Sequence, residues 1–315
     1  MSVIIRAAAK ALPKNHVIND DLAKKIDTSD EWIRSHTGIG ARYIAEEGET
    51  SASLGARSSE EALKKAGLEA NQVDLIVCAT ATPDYHGFPA NACLIQESLG
   101  AENAACFDLS AACSGFLYAL DTAEALMAKH NWKYALIIGT EVLSSIVDWE
   151  DRATCVLFGD GAGTILLENN VNIDKAERGL SSFILGAQGS GSQYLYNKFG
   201  EALQMDGRAV YNFAVGIMTQ LIKDLMEKEN LTEDMVDYFV CHQANERILS
   251  AAAKRLGFKM DKFIISLDEY GNTSSASIPL TLVDMDEKGM LKEGMTIVSA
   301  AFGAGLTYAG AVFRW

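Results

Sequence analysis

Three side chains and one backbone turn in this sequence have the types and settings that nucleophilic chemistry needs. Cys113 lies in "DLSAACSGFLYAL" (108–120), flanked by small residues, just ahead of Phe116, Leu117, Leu120, Leu126 and Met127. Those apolar residues recur at helical spacing, which predicts a helix over about 113–129. A cysteine on its first turn faces unpaired N–H groups and the positive end of the helix dipole. Both favour the thiolate and predict a pKa below the usual value of about 8.5. Ala111, Ala112 and Gly115 leave room beside the sulfur for a carbonyl group. His242 follows a buried-strand pattern in "CHQANERI", and Asn272 follows Gly271 in "LDEYGNTSSASIP", where glycine makes a turn sterically cheap. "AFGAGLTYAG" (301–310) adds a glycine-rich turn whose N–H groups can approach an oxygen closely. Singly, these are also a core cysteine, a capped strand-end histidine, an Asx-type turn and a tight hairpin. Only their combination points to catalysis.

The elements that must position them come from a faint internal repeat. "LKKAGLEANQVDLIVCAT" (63–80) aligns with "MEKENLTEDMVDYFVCHQ" (226–243) at an offset of 163, matching Lys65, Leu68, Val73, Asp74, Val77 and Cys78 to Lys228, Leu231, Val236, Asp237, Val240 and Cys241. Each copy reads as a helix end, a polar turn and a short buried strand. "KYALIIGTEV" (133–142) and "GMTIVSAAFG" (294–303) share an apolar pattern at the similar offset of 161. Near-continuous apolar strands alternating with helices predict α/β layers with both sheet faces covered. Stacking two such halves, residues 1–172 and 173–315, gives five layers about a pseudo-twofold axis, with residues of both halves meeting at the seam. "FGDGAG" (158–163) lacks a phosphate-loop Lys-Ser/Thr and is read as close strand–helix packing.

Composition narrows the function classes. A net charge of −15 gives no global attraction for nucleic acid. The six cysteines have no C-x-x-C or zinc-like spacing and mostly sit in apolar runs, as expected of a reducing compartment rather than a disulfide framework. No metal site is expected. Arg6 and Lys10 interrupt any signal-type apolar core, and glycines break the uncharged stretch 296–313 into two strands joined by a turn. A cytoplasmic chain without a membrane segment is expected.

Together, "DLSAACSGF", "FGDGAG", "CHQANERI", "YGNTSSASIP" and "AFGAGLTYAG" resemble the motifs of β-ketoacyl-acyl carrier protein synthase III, of the thiolase superfamily, and the likeness begins at "DTSDEWIRSHTGI" (27–39). The resemblance implies a thiolase-like α-β-α-β-α fold whose first half carries the nucleophile and whose second half carries the His/Asn pair. It implies that Cys113 takes an acyl group from acyl-coenzyme A, and that His242 and Asn272 serve decarboxylative condensation with malonyl-acyl carrier protein. Backbone N–H groups of Cys113 and Ala304 would form the oxyanion hole. Coenzyme A, a substrate rather than a resident cofactor, would be met by Thr28, Trp32, Arg152 and Asn245, with Trp32 and Arg152 bracketing the adenine. His36 stands where many relatives have arginine, and Arg34 is the available substitute. Phe88, in "HGFPANA", matches a phenylalanine that crosses a homodimer interface toward the partner's acyl pocket.

An acidic carrier protein needs a local cationic face on so acidic a chain. Arg247, Lys254 and Arg255 are seven and eight residues apart, on one side of a predicted helix, while Ile248, Leu249, Ala252 and Leu256 occupy the other. Three other activities share these residues. They are a condensing enzyme of secondary metabolism with a different acceptor, a thioesterase or cysteine hydrolase, and a non-catalytic coenzyme A or carrier binding module.

Overall fold

The computed structural model describes residues 2–170, 172–174 and 177–315. The first sheet contains β1 (Ser2–Ala11), β2 (Leu75–Ala79), β3 (Ala105–Leu109), β4 (Tyr134–Glu141) and β5 (Gly161–Asn170), in the order β1-β5-β4-β2-β3. The second contains β6 (Gly179–Ala187), β7 (Tyr238–Phe239), β8 (Thr296–Gly303) and β9 (Thr307–Arg314), in the order β7-β8-β9-β6. The run β2-β4-β5-β1 and the run β7-β8-β9-β6 share one pattern: the first pair is parallel and the other two are antiparallel. The place of β3 is reduced in the second half to a single parallel bridge between Phe239 and Phe263.

The repeat read from the sequence reappears as matched hydrogen bonds. The Asp74 backbone N–H donates to the Tyr134 carbonyl and its Oδ2 accepts from Lys133 and Tyr134 N–H; Asp237 does the same with the carbonyl and N–H of Thr296. Val73 and Val236 are both fully buried beside them. The preceding helices also end alike, on the left-handed residues Gly67 (φ 69°) and Asn230 (φ 53°).

Seven helices complete the layers: α1 (Asp30–Thr37), α2 (Ser51–Ala66), α3 (Asn91–Leu99), α4 (Gly115–His130), α5 (Gly207–Lys228), α6 (Glu246–Leu256) and α7 (Ser277–Glu287). Strand alternation sorts them. Ala135 and Ile137 of β4 and Ile297 and Ala301 of β8 join Leu117, Leu120, Ile278 and Leu282 in one core, so α4 and α7 lie between the sheets. Leu136 and Ile138 face Ala56 and Ile95 of α2 and α3; Val298, Ala300 and Phe302 face α5 and α6. The result is the five-layer α-β-α-β-α arrangement. Every residue of α7 from Ser277 to Met285 is buried, as a helix wedged between two sheets must be. A Cβ at Gly163 would lie 2.8 Å from the Pro279 Cβ, so "FGDGAG" marks the close approach of β5 to α7.

Candidate active site

The seam brings the chemistry-bearing residues together. Cys113, His242 and Asn272 line one cavity of about 230 Å³, with Trp32, Asn245, Ile248, Phe158, Phe302 and Gly303. Cys113 sits in a short 3-10 turn, Ala112–Ser114, one turn ahead of α4, and Ala112 is left-handed (φ 47°). A Cβ at Gly303 would lie 2.6 Å from the Cys113 backbone nitrogen, so glycine alone lets the end of β8 pass that amide.

The ionisation expected of Cys113 is corrected. Burial pushes its thiol up to about 12, with the nearby Glu141 carboxylate adding to the rise and a hydrogen bond to Ser274 opposing it. The helix-tip argument holds for a solvated sulfur; here desolvation outweighs it, and the resting group is a thiol. The helix itself starts at Gly115 rather than 113.

His242 extends the parallel ladder beyond β7, its N–H donating to the Ala300 carbonyl at 2.9 Å. Its ring packs edge-on against Phe302, and its Nδ1 lies 2.8 Å from the Ser277 hydroxyl at the start of α7. The backbone N–H of Gln243 also reaches that hydroxyl oxygen, at 3.4 Å. When the Ser277 hydroxyl donates to Nδ1, the neutral ring carries its proton on Nε2. Nε2 is buried and has no partner among the described residues. Burial lowers the His242 pKa to about 3, so the ring is neutral at working pH.

The Asx-type turn expected at Asn272 is present, and it aims the side chain. Oδ1 accepts from the Ser274 N–H at 2.9 Å, while the backbone of Asn272 is tied to Leu157 and Gly159. With its oxygen occupied, the amide presents its NH₂ group as donor.

Ala304 lies in the turn between β8 and β9. It lines a second cavity of about 460 Å³, which shares Cys113, Phe158 and Leu195 with the first and adds Ala81, Leu143, Ile146 and Leu203. Cys113 therefore lines both cavities.

At the far end of the first cavity, Trp32 stacks on His36 at 4.4 Å, and the Arg152 guanidinium lies 4.7 Å from the Trp32 ring centre. That spacing leaves no slot for a planar base between Trp32 and Arg152; a base enters only if Arg152, held by a hydrogen bond to the Asp27 carbonyl, swings away. Arg34 is no ready substitute at His36, because its Nε is paired with both carboxylate oxygens of Asp30. The Thr28 hydroxyl is buried without a partner among the described residues. Asn245 caps α6, accepting from Arg247 N–H and donating to the His36 carbonyl.

Arg247, Lys254 and Arg255 lie outside both cavities, exposed on α6, and make no ion pair among the described residues. Ile248, Leu249 and Ala252 are buried on its other face, as the spacing predicts. Phe88 is away from the site too, 87% exposed on the loop after β2. Sequence reasoning missed Ser274, Ser277, Phe158 and Glu141. The serines stood within the quoted "YGNTSSASIP", but nothing in a run of small hydroxyl residues distinguishes those that orient a catalytic group. Among the described residues no group of His, Cys, Asp and Glu could hold a metal ion, and no helix is long and apolar enough to cross a membrane.

The chain is similar to known proteins in sequence and in fold. Residues 107–189 match the family model for 3-oxoacyl-[acyl-carrier-protein] synthase III, and residues 226–315 match the model for its C-terminal part. The β-ketoacyl-[acyl-carrier-protein] synthase III of Clostridium acetobutylicum is 44% identical, over 100% of this chain and 99% of its own length. The crystal structure of 3-oxoacyl-[acyl-carrier-protein] synthase III from Aquifex aeolicus superposes with a TM-score of 0.94 at 40% identity, covering 99% of this chain and 100% of that one. The priming β-ketosynthase of the R1128 polyketide pathway superposes with a TM-score of 0.92 at 32% identity, covering 99% and 96%.

Proposed function

Because the chain belongs to the β-ketoacyl-[acyl-carrier-protein] synthase III family, we propose the following division of labour among its residues. The protein is an acyltransferase that condenses an acyl-coenzyme A primer with malonyl-acyl carrier protein, opening fatty acid synthesis. Residues 1–172 form the half that carries the nucleophile, and 173–315 the half that carries the His/Asn pair. The single observation that carries the assignment is one cavity lined by Cys113, His242 and Asn272, with the one unpartnered ring nitrogen of the histidine buried beside it.

In the first half-reaction the Cys113 sulfur attacks the primer's thioester carbonyl, and coenzyme A leaves as the thiol, carrying off the proton that Cys113 gives up. The tetrahedral oxyanion is held by the Cys113 and Ala304 N–H groups. The pantetheine arm runs along the first cavity toward Asn245 and Trp32, with Thr28 and Arg152 at its mouth. The acyl chain occupies the second cavity, where Leu143, Ile146, Phe158 and Leu203 give it apolar walls.

In the second half-reaction malonyl thioester loses carbon dioxide, and the charge develops on the enolate oxygen. The His242 Nε2–H and the Asn272 NH₂ group stabilise it without transferring a proton; losing one such donor typically costs about 2.7–4 kcal/mol. The enolate carbon attacks the acyl-Cys113 carbonyl and expels the Cys113 thiolate, which is reprotonated from solvent because its burial favours the thiol. Arg247, Lys254 and Arg255 receive the acidic carrier. No cofactor is held permanently, and the active species is a cytoplasmic homodimer.

A hydrolase would need a base to activate water, yet His242 Nδ1 is paired with a serine hydroxyl rather than a carboxylate. The likeness to the R1128 priming β-ketosynthase keeps one alternative in view, a condensing enzyme of secondary metabolism with another acceptor. Intact-protein mass spectrometry tests the reading. Acyl-coenzyme A should add an acyl group to wild type and none to Cys113→Ala, and malonyl-acyl carrier protein should discharge it as the 3-oxoacyl product. Loss of the adduct to water alone would mean a hydrolase, and no adduct at all would mean a binding module.

A further inference from the structure

Glu141, the last residue of β4, is fully buried and has no part in the mechanism above. Its Oε1 accepts from the Ser275 hydroxyl at 2.8 Å and from the N–H groups of Ala81 at 3.1 Å and Ser275 at 3.4 Å. Its Oε2 accepts from the Thr82 hydroxyl at 2.7 Å, from Ala81 and Thr82 N–H at 3.0 and 3.1 Å, and from the Thr80 hydroxyl at 3.3 Å. Donors from both halves thus converge on one carboxylate. A buried charge is stable only when its lone pairs are filled in this way.

The pseudo-twofold relation explains why it sits there. The 3-10 turn Ala112–Ser114 has a counterpart in the turn Ser274–Ala276, and the residues that open them are both left-handed, Ala112 at φ 47° and Ser274 at φ 48°. Each half's strand presses on the other half's turn. A Cβ at Gly303 would lie 2.6 Å from the Cys113 nitrogen, and a Cβ at Gly139 would lie 2.3 Å from the Ser275 carbonyl oxygen. Ser275 therefore occupies, in the second half, the place Cys113 holds in the first. Where the Cys113 N–H is left to meet a substrate oxyanion, the Ser275 N–H is met by the Glu141 carboxylate.

We propose that Glu141 is a positioning residue for condensation: its carboxylate fills the second, pseudo-symmetric N–H site and thereby fixes the turn that carries Asn272 and Ser274. Left-handed serine is strained and persists only where its surroundings over-determine it. Glu141 supplies that restraint through Ser275. Ser274, so held, keeps Asn272 Oδ1 on its N–H, and its hydroxyl lies near both Cys113 and Glu141, lowering the pKa of each. The proposal rests on the condensing-enzyme reading above.

Glu141→Gln and Ser275→Ala in the full chain test it. Gln keeps one acceptor oxygen but turns an NH₂ group toward the Ala81 N–H, which can only donate and reaches both carboxylate oxygens, so the full set of bonds to Glu141 cannot be kept. Ser275→Ala removes a hydroxyl that lies within reach of both Glu141 Oε1, at 2.8 Å, and the Ala79 carbonyl, at 2.9 Å, and leaves the backbone N–H link in place. Two single-turnover rates are compared, formation of the acyl-enzyme and its discharge by malonyl-acyl carrier protein. Glu141→Gln should slow discharge about 10²-fold, the scale of a misplaced catalytic group, and slow acylation far less. Ser275→Ala should skew the two rates in the same direction, about fivefold, and it carries the test alone if the Gln variant does not fold. A purely structural role would lower both rates together, and a ratio within about twofold of wild type in the folded variants would overturn the proposal. Iodoacetamide labelling of Cys113 gives a readout without turnover. Removing the neighbouring anion should make labelling faster at a given pH, and an unchanged pH profile would also overturn the proposal. If wild type itself forms no acyl adduct, the condensing-enzyme reading fails, while the labelling profile still tests the grip of Glu141.

Discussion

At the scale of single residues, the site works through uncharged groups. His242 has a folded-state pKa of about 3, against about 6.5 in an unfolded chain. Between those values the unfolded chain binds a proton that the native ring refuses, so His242's contribution to stability is complete above about pH 6.5 and is lost as the pH falls toward 3. Denaturant unfolding measures this. Between pH 6.5 and 5, wild type should lose about 2 kcal/mol more than His242→Gln, whose side chain does not titrate. Asp108, Asp160 and Glu141, whose burial raises their pKa values, titrate in both proteins and cancel in the comparison. Equal slopes would mean that the imidazole is solvated and free to protonate. Cys113 marks the limit of reading residues alone. Its identity and neighbours were legible in "SAACSGF", but its protonation was not, because burial is set by both halves and the sequence around a cysteine reports only one.

At the scale of elements, what the sequence made legible was periodicity. The helical spacing after Cys113 gave α4, the apolar runs gave β2, β4 and β8, and the glycines at 303 and 305 gave the turn before β9. The left-handed turns at Ala112 and Ser274 were not legible, since neither residue type advertises a positive φ. Nor was the closed stack of Arg152 on Trp32, which depends on where a side chain rests when no base is present. Helix α6 came through whole, and it carries a prediction of its own. Its inward face is pinned by Ile248, Leu249, Ala252 and Ala253, so its outward charges can be reversed without disturbing the core. Arg247→Glu with Lys254→Glu should raise KM for malonyl-acyl carrier protein about tenfold at low ionic strength, less at high salt, and leave acylation by coenzyme A thioesters unchanged. Equal losses in both half-reactions would remove carrier docking from this face.

At the scale of the molecule, the duplication explains why the active site lies at a seam, and it leaves one edge unfinished. The second sheet ends on β7 and a single bridge, but the first ends on β3, a five-residue edge strand whose first residue, Ala105, is exposed. An open edge strand is a template for pairing with another chain. Near it, the loop after β2 exposes Tyr85 (53%) and Phe88 (87%), and His86 of that loop packs edge-on against Phe199, itself 79% exposed. Aromatic rings gathered on a surface mark a contact face, and a twofold contact presents the same face on both copies. The same loop begins at the second cavity, which Ala81 lines beside Cys113. A partner's Phe88 reaching that cavity would cap the space in which the primer chain lies, so self-association and primer choice would be one property. Phe88→Asp separates the possibilities in two measurements. Sedimentation should move from dimer toward monomer. A panel of acyl-coenzyme A primers, read as acyl-enzyme masses, should lose its selectivity in parallel. A variant that remains dimeric but changes its primer range would assign Phe88 to the pocket alone. A variant that dissociates with its primer range intact would assign it to the interface alone, and a wild type that sediments as a monomer would remove the shared pocket altogether.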